Sequence, residues 1–333
     1  LTIVIVNYKS WPDVARLVSA MAEAPEVADG RCEVVIVDNA SAEPVPLELA
    51  EPRPGVRLVL RDENGGFAAG VNAGWRVSRS RWLLLVNPDV VAGADLPGRV
   101  LDRVGRLERR GDGAPGVVGF GLRNADGSRQ PSVGAEPSLW RSVREPFIPR
   151  SRRKYQAAWR TRPGPVPWVT GACALVDGEL LRNLGGMDED FFLYYEEVAL
   201  CRSARDAGRA VEYDPSVEVV HLRPLQNRPL TSRMRVITRH SKLLYFRKHL
   251  PPWQFKGLSW IVRAEAMIRG RLARRDEAAR AWRAIGGLAR AMSRGESIRG
   301  REILAWAGPA EESAHGPARP KAMGRRPATE RVS

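Results

Sequence analysis

The run Trp82-Leu83-Leu84-Leu85-Val86-Asn87-Pro88-Asp89 constrains the fold most. It is too short to cross a membrane and too uniformly apolar to be a half-exposed strand, so it reads as a strand buried on both faces. Pro88 has no N–H to give to a sheet ladder, which ends the strand there. Asp89 therefore stands at the carboxyl end of a buried strand, where open α/β sheets bind their ligands. A carboxylate at that point can hold a divalent metal, and a metal can neutralise the phosphates of a nucleotide.

The surrounding chain repeats the theme. Thr2–Val6, Val34–Val37 and Val56–Leu60 are further apolar, β-branched runs, and Val117–Leu122, Trp168–Val176 and Val217–His221 follow later. Val14, Leu17, Val18 and Met21 recur at helical spacing after the first run, and Asn64-Gly65-Gly66 leads into a second helical segment with Val71 and Trp75. Strands alternating with helices predict an α/β fold, a mixed and mostly parallel sheet with helices on both faces. Gly, Pro and Arg dominate from about residue 123 to 167, which suggests long loops.

Charge divides the chain differently. Of 53 Lys and Arg and 38 Asp and Glu, 23 basic and 8 acidic residues fall in 231–333, so the whole net charge of +15 belongs to that part. The expected organisation is an α/β domain over 1–230, a basic helical extension over 231–307 and a disordered tail over 308–333. Residues 141–165 are also locally basic and suit a loop facing phosphate or anionic lipid. Three cysteines without a CxxC pair, no long apolar run and no signal peptide ahead of the first strand predict a cytoplasmic protein without a transmembrane helix.

Polar residues gather at the strand ends. Asn7, Asp38 and Asn39, Asp89 and His221 each follow an apolar run, and parallel strands would bring them to one rim. Asp38 suits a hydrogen bond to a base or ribose. Gly65 to Gly70 has P-loop glycine spacing but Val71-Asn72 follows in place of Lys-Ser/Thr, and Asn7-Tyr8-Lys9-Ser10 stands where a dinucleotide fingerprint would be. A second acidic centre is Gly186-Met187-Asp188-Glu189-Asp190-Phe191-Phe192-Leu193-Tyr194-Tyr195-Glu196-Glu197, where carboxylates interleaved with rings could supply a general base.

In order along about residues 1–225, these pieces resemble family 2 glycosyltransferases of the GT-A fold, in the rhamnosyltransferase-like branch. The resemblance rests on Val4–Tyr8, Val37–Ser41, Asn64–Asn72, Asn87-Pro88-Asp89, Gly171-Ala172-Cys173, Gly185–Cys201 and Val219-Val220-His221. It implies an inverting transfer from a nucleotide-sugar with Mn²⁺ or Mg²⁺, the best donor guess being dTDP-L-rhamnose. UDP-N-acetylglucosamine, UDP-galactose and a catalytically weak nucleotide-sugar binder stand as alternatives.

By the same resemblance Asn7, Asp38, Asn39, Asn64, Gly65, Asn72 and Asn87 would bind the nucleotide-sugar. Asp89 and His221 would hold the metal, Asp188 and Glu189 would meet the acceptor, and Glu197, with Glu196 beside it, would be the base. The branch usually has Asp at position 197 and again at 199, where this chain has Glu197 and Ala199.

The basic extension reads as amphipathic helices, with one stripe of Leu258, Ile261, Ala264, Ile268 and Leu272 and a second of Trp282, Ile285, Ala289 and Met292. Such helices fit peripheral attachment to the anionic inner face of a bacterial cell membrane, and an acceptor carried as a lipid-linked glycan. No RNA-binding signature supports a nucleic-acid partner.

Overall fold

The computed structural model describes residues 1–148, 162–224 and 230–308, Asp112 by its backbone only. Most of the basic segment 141–165 and nearly all of the tail 308–333 lie outside the described residues. The strands are β1 Thr2–Asn7, β2 Glu33–Asp38, β3 Val56–Leu60, β4 Trp82–Val86, β5 Val90–Val91, β6 Val117–Arg123, β7 Arg129–Gln130, β8 Val133–Gly134, β9 Gly164–Pro165, β10 Trp168–Val169, β11 Cys173–Asp177 and β12 Val211–His221. Within the described residues the helices are α1 Trp11–Ala22, α2 Pro25–Ala28, α3 Leu47–Ala50, α4 Phe67–Val77, α5 Leu96–Glu108, α6 Leu139–Arg144, α7 Gly178–Leu184, α8 Glu196–Asp206, α9 Ser232–His249, α10 Pro252–Leu272, α11 Asp276–Ser293 and α12 Ile303–Ala307.

The main sheet runs in the order β3-β2-β1-β4-β11-β6-β12-β5. Its first four strands are parallel, and β6 and β12 are parallel, while β11 lies antiparallel between β4 and β6. The sheet is thus mixed and mostly parallel, as the alternation of strands and helices predicts. Side chains alternate across it. Ile3, Ile5, Val34, Ile36 and Leu84 face a core built with α1 and α5, and Val4, Val6, Val35, Val37, Leu83 and Leu85 face a second core on the other side. Burial on both faces is why these strands carry almost no polar residues until their ends.

Two strands differ from the expected ones. The single run Trp168–Val176 is two strands that break at Thr170–Ala172, with Trp168–Val169 pairing β8 in a separate two-stranded sheet. The last strand begins at Val211 and shifts register between Asp214 and Glu218, around Pro215, which has no N–H for the ladder.

The second core continues into the basic extension. Val236, Ile237, Leu243, Tyr245 and Phe246 of α9 and Trp282, Ile285, Leu288 and Met292 of α11 share it with the sheet. The second predicted stripe is therefore buried. The first is not: α10 buries Leu258, Val262 and Ala266, a line of i, i+4, i+8, while Ile268 and Leu272 are exposed. This helix has apolar residues on two sides, and only the line one helical face further round meets the core. None of the described helices is long and apolar enough to cross a membrane.

His240 on α9 is fully buried and its Nε2 bonds the Ile298 carbonyl at 2.8 Å. Burial pushes its pKa below the ordinary 6.5, against the opposing pull of the Ile298 carbonyl and the Asp190 and Glu302 charges. His249 is shifted the same way, also by burial. An unfolded histidine takes up a proton near pH 6.5 and these folded ones resist it. Stability is then complete above that pH and declines as the pH falls toward the depressed folded values, by at most about 1.4 kcal/mol per pH unit for each histidine. Thermal midpoints measured from pH 7.5 to 5.5 should decline on the acid side, and His240→Gln should flatten the decline.

Candidate active site

Parallel pairing in register sets Asn7 beside Asp38 at the carboxyl ends of β1 and β2. Asn7 is completely buried and its Nδ2 donates to Asp38 Oδ1 at 2.7 Å, while the Ser41 backbone N–H donates to Asp38 Oδ2 at 2.9 Å. The Asp38 carboxylate is therefore held rigidly at the rim. The next residue, Asn39, donates from Nδ2 to Asn64 Oδ1 at 2.9 Å and to the Gly66 carbonyl at 2.8 Å, joining the β2 end to the Gly-rich turn.

The turn itself needs its glycines. Gly66 has φ +93°, and a Cβ there would lie 2.0 Å from the Phe192 carbonyl oxygen, which instead accepts a hydrogen bond from Phe67 N–H at 3.0 Å. A Cβ on Gly65 would press on Ala69 and the Arg61 guanidinium. Asn64, Gly65 and Gly66 thus let α4 begin directly against the acidic segment. Asn72, one turn into that helix, is buried. Its amide donates to the Met187 carbonyl at 2.9 Å and Glu189 Oε1 at 2.7 Å and accepts from Met187 N–H at 2.7 Å. Asn72 fastens the turn that carries Asp188 and Glu189.

Asp89 and His221, far apart in the sequence, meet through the two-residue strand β5. Val90 pairs His221 and Val91 pairs Val220, and Leu222 N–H donates to the Asp89 carbonyl at 3.0 Å. This sets His221 Nε2 at 3.3 Å from Asp89 Oδ1. Gln130, on β7, decides how the imidazole is used. Its Nε2 donates to Asn124 Oδ1 at 2.9 Å and to the His221 carbonyl at 3.1 Å, so Oε1 is left to accept from His221 Nδ1 at 2.7 Å. With the Nδ1 proton committed to Gln130, Nε2 faces a carboxylate across 3.3 Å, and a positive centre between them, proton or metal ion, is what that geometry suits.

One carboxylate and one imidazole nitrogen make an incomplete cage, and among the described residues no group of three or more His, Cys, Asp or Glu could hold a metal. The pair fits a divalent ion whose remaining ligands are phosphate and water oxygens. Arg223 adds a further positive group, its Nε 3.8 Å from Asp89 Oδ2 and its guanidinium on buried Asp13 of α1. Sequence reading missed Gln130 and Arg223. Gln130 carries no signal in the sequence, whereas Arg223 could have been noticed as a cation two residues past the strand-end histidine.

The acidic segment forms the other wall. Tyr194 and Tyr195 have φ +67° and +69°, a left-handed conformation that costs roughly 1–3 kcal/mol per residue outside glycine. Among the described residues the other positive-φ residues that are not glycine are Lys9 and Ala40, so all of them border this rim. The strained pair opens α8 and turns Glu196 and Glu197 inward, both buried. Ser241 of α9 holds the Leu193 carbonyl at 2.8 Å and the Tyr245 ring packs on Tyr195 at 5.6 Å, so the basic extension braces the turn.

Glu197 lies against the Thr170–Ala172 break in the sheet, its Cβ 3.7 Å from where a Cβ on Gly171 would be, and Ala172 accepts a hydrogen bond from Asn87 N–H at 3.0 Å. That break links the Asp89 side to the Glu197 side. Asp188 bonds Lys248 at 2.6 Å, and Glu189 is tied to Asn72 and, at 3.3 Å, to Arg76. Burial pushes the thiols of Cys173 and Cys201 up to about 12, which removes them as nucleophiles near neutral pH.

The family described as Glycosyl transferase family 2 matches residues 2–185. The N-acetylglucosaminyl-diphospho-decaprenol L-rhamnosyltransferase of Mycobacterium tuberculosis is 29% identical over 307 residues, covering 85% of this chain and 95% of that protein. The low-salt glycan biosynthesis hexosyltransferase Agl10 of Haloferax volcanii is 25% identical over 81% of this chain and 84% of its own. Among solved structures, GalNAc-T7 with UDP, GalNAc and Mn²⁺ superposes with a TM-score of 0.51 at 13% identity over 74% of this chain. Staphylococcus aureus TarS superposes with a TM-score of 0.51 at 12% identity over 85%. The chain spans about half the length of each of those two, 48% and 47%, and these likenesses bear on the fold.

Proposed function

The chain belongs to glycosyltransferase family 2, in its rhamnosyltransferase-like branch, and from that premise we propose that it transfers L-rhamnose from dTDP-L-rhamnose, with inversion, to a glycan carried on a membrane lipid. The observation that supports the sugar and the acceptor is the likeness to the N-acetylglucosaminyl-diphospho-decaprenol L-rhamnosyltransferase along 95% of that protein.

In this reading Asn7 and Asp38 receive the nucleoside, with Asn39, Asn64 and Gly65 shaping the pocket floor and Asn87 closing it beside the strand end. Asp89 and His221 would hold Mn²⁺ or Mg²⁺ on the side that receives the donor's phosphates. The ion, when bound, neutralises the charge that develops on the departing nucleoside diphosphate. Arg223 adds a fixed positive charge on the same side. Glu197 takes the proton from the acceptor hydroxyl as that oxygen attacks the anomeric carbon from the face opposite the diphosphate, which inverts the configuration. Glu196, Asp188 and Glu189 lie on the acceptor side, and Asn72 positions the last two.

A thermal-shift screen of nucleotide-sugars with and without Mn²⁺ tests the donor, since a ligand that binds the native state raises the midpoint. The reading expects dTDP-L-rhamnose to give the largest metal-dependent shift. A larger shift with UDP-N-acetylglucosamine or UDP-galactose would replace the donor. Transfer of label from the preferred donor to an N-acetylglucosaminyl-diphospho-polyprenol tests the acceptor.

Gln130→Leu removes the acceptor that holds the His221 Nδ1 proton while keeping a side chain of similar size. The loss of such an outer partner should weaken Mn²⁺ binding by about 10–100-fold. Calorimetric titration with Mn²⁺ in the presence of nucleoside diphosphate reads this directly, and unchanged affinity would remove Gln130 from the site.

A further inference from the structure

Large apolar side chains are exposed at Trp140 and Phe147, at 71% and 86%, and at Trp253, Trp260 and Met267, at 63%, 68% and 53%. Phe147 ends the short 3-10 turn Glu145–Phe147 that follows α6, and the others belong to α6 and α10, which pack together. Leu139 N–H of α6 donates to Gln254 Oε1 of α10 at 2.8 Å, and the Leu139 side chain fills the space above Gly257, where a Cβ would come within 2.6 Å of it. On α10, Trp253, Trp260 and Met267 follow at intervals of seven, two helical turns or about 10 Å apart, on the side opposite buried Val262 and Ala266. Scattered exposed apolar residues are ordinary, but a contiguous line of them is a binding surface.

We propose that this face, α10 with α6 beside it, lies against an anionic lipid surface. Lys256 and Arg263 fall along one edge of the Trp253–Trp260–Met267 line, and Arg271 continues it at the carboxyl end. Glu265, the one acid on α10, is turned away onto Arg239 at 2.7 Å and Arg269 at 3.0 Å. The outer side of α10 is therefore cationic and aromatic without an offsetting carboxylate. Tryptophan rings settle at the level of lipid headgroups, the lysine and arginine beside them meet anionic phosphates, and Met267, Ile268 and Leu272 enter the acyl boundary. A second copy of this chain on the same stripe would set Lys256 and Arg263 against like charges.

The assignment rests on the reading that the acceptor is lipid-borne, and it explains why the structure leaves this face open. α9, which braces Tyr195 beside the candidate base, is joined through Leu250 and Pro251 to α10, so docking would hold the protein at the surface that carries the acceptor. This differs from the stripe expected from sequence, because Leu258 points into the core and the lipid-facing line is the tryptophan one.

The test is co-sedimentation of the full chain with phosphatidylcholine vesicles, alone and mixed equally with phosphatidylglycerol. Binding to the mixed vesicles is expected, and Trp253→Ser with Trp260→Ser, or Lys256→Glu with Arg263→Glu, should each weaken it at least about tenfold. Neither pair touches the candidate active site, so the donor-induced thermal shift should be that of the parent. Absence of vesicle binding, binding unaffected by both pairs, or concentration-dependent dimerisation abolished by the same substitutions would overturn the proposal. Vesicle binding that needs the tryptophans, in a protein that shifts with no nucleotide-sugar, would keep the docking face and end the rhamnosyl-transfer reading.

Discussion

Asp89→Ala should abolish metal-dependent donor binding and lower kcat/KM by roughly a thousand-fold, about 4 kcal/mol of transition-state stabilisation. The effect is large because the site has so few protein donors. With Asp89 gone, one imidazole nitrogen remains, and the diphosphate would have to hold the ion nearly alone. His221 would also lose the partner it faces at 3.3 Å, and Arg223 one of its two carboxylates. The fold should persist, because β5 is held by backbone pairing and by the Leu222 bond to the Asp89 carbonyl, which alanine keeps. Asp89→Asn separates charge from shape: it retains the volume and should lose nearly as much. Calorimetry of donor binding with and without Mn²⁺ is the measurement, and equal donor affinity in parent and variant would end the metal assignment.

How these residues meet shows what a sequence can and cannot display. Strands β1, β2 and β4 were legible because each is a short apolar run that stops at a polar residue, and a strand buried on both faces has no other composition open to it, whereas β3 is the half-exposed edge strand and carries Arg57 within it. Asp38 and Asn7 could be placed at one rim for the same reason. The antiparallel insertion of β11 between β4 and β6 was not legible, since pairing direction leaves no local mark in a buried strand. Nor was β5: Val90–Val91 is too short to announce itself, yet it brings Asp89 to His221.

Gln130 is a similar case. A glutamine amide has no signature until an imidazole is found against it. On α10 the error had a different source. Both sides of the helix carry apolar residues, and the wheel alone does not say which side the core takes. Asn72, expected at the nucleotide-sugar, spends its amide on the 187–189 turn, a role that only three-dimensional proximity reveals.

Glu197→Gln is expected to leave donor binding intact and to lower kcat by about 10²–10⁴-fold, the range for loss of a positioned general base. The split between the two quantities is what identifies a base, since a residue that merely held the segment together would weaken both. Glu196→Gln is the companion, because both carboxylates enter α8 buried and adjacent. Only the base should show the collapse in kcat with KM for the donor unchanged.

The departure at position 199 bears on this test. Ala199 is 1% exposed within the core, and its N–H closes onto the Tyr195 carbonyl at 2.8 Å. Ala199→Asp would put a carboxylate into that packing, so it should destabilise the protein by a few kcal/mol unless a partner is found for the charge. The base is therefore expected to work without a second carboxylate two residues further along the helix, its direction set by the strained Tyr194–Tyr195 turn and its reach by the extra methylene of glutamate. Glu197→Asp shortens that reach in an unchanged setting. A variant more active than the parent would show that the turn is built for the shorter side chain, and Glu197→Gln with full kcat would remove Glu197 from the chemistry altogether.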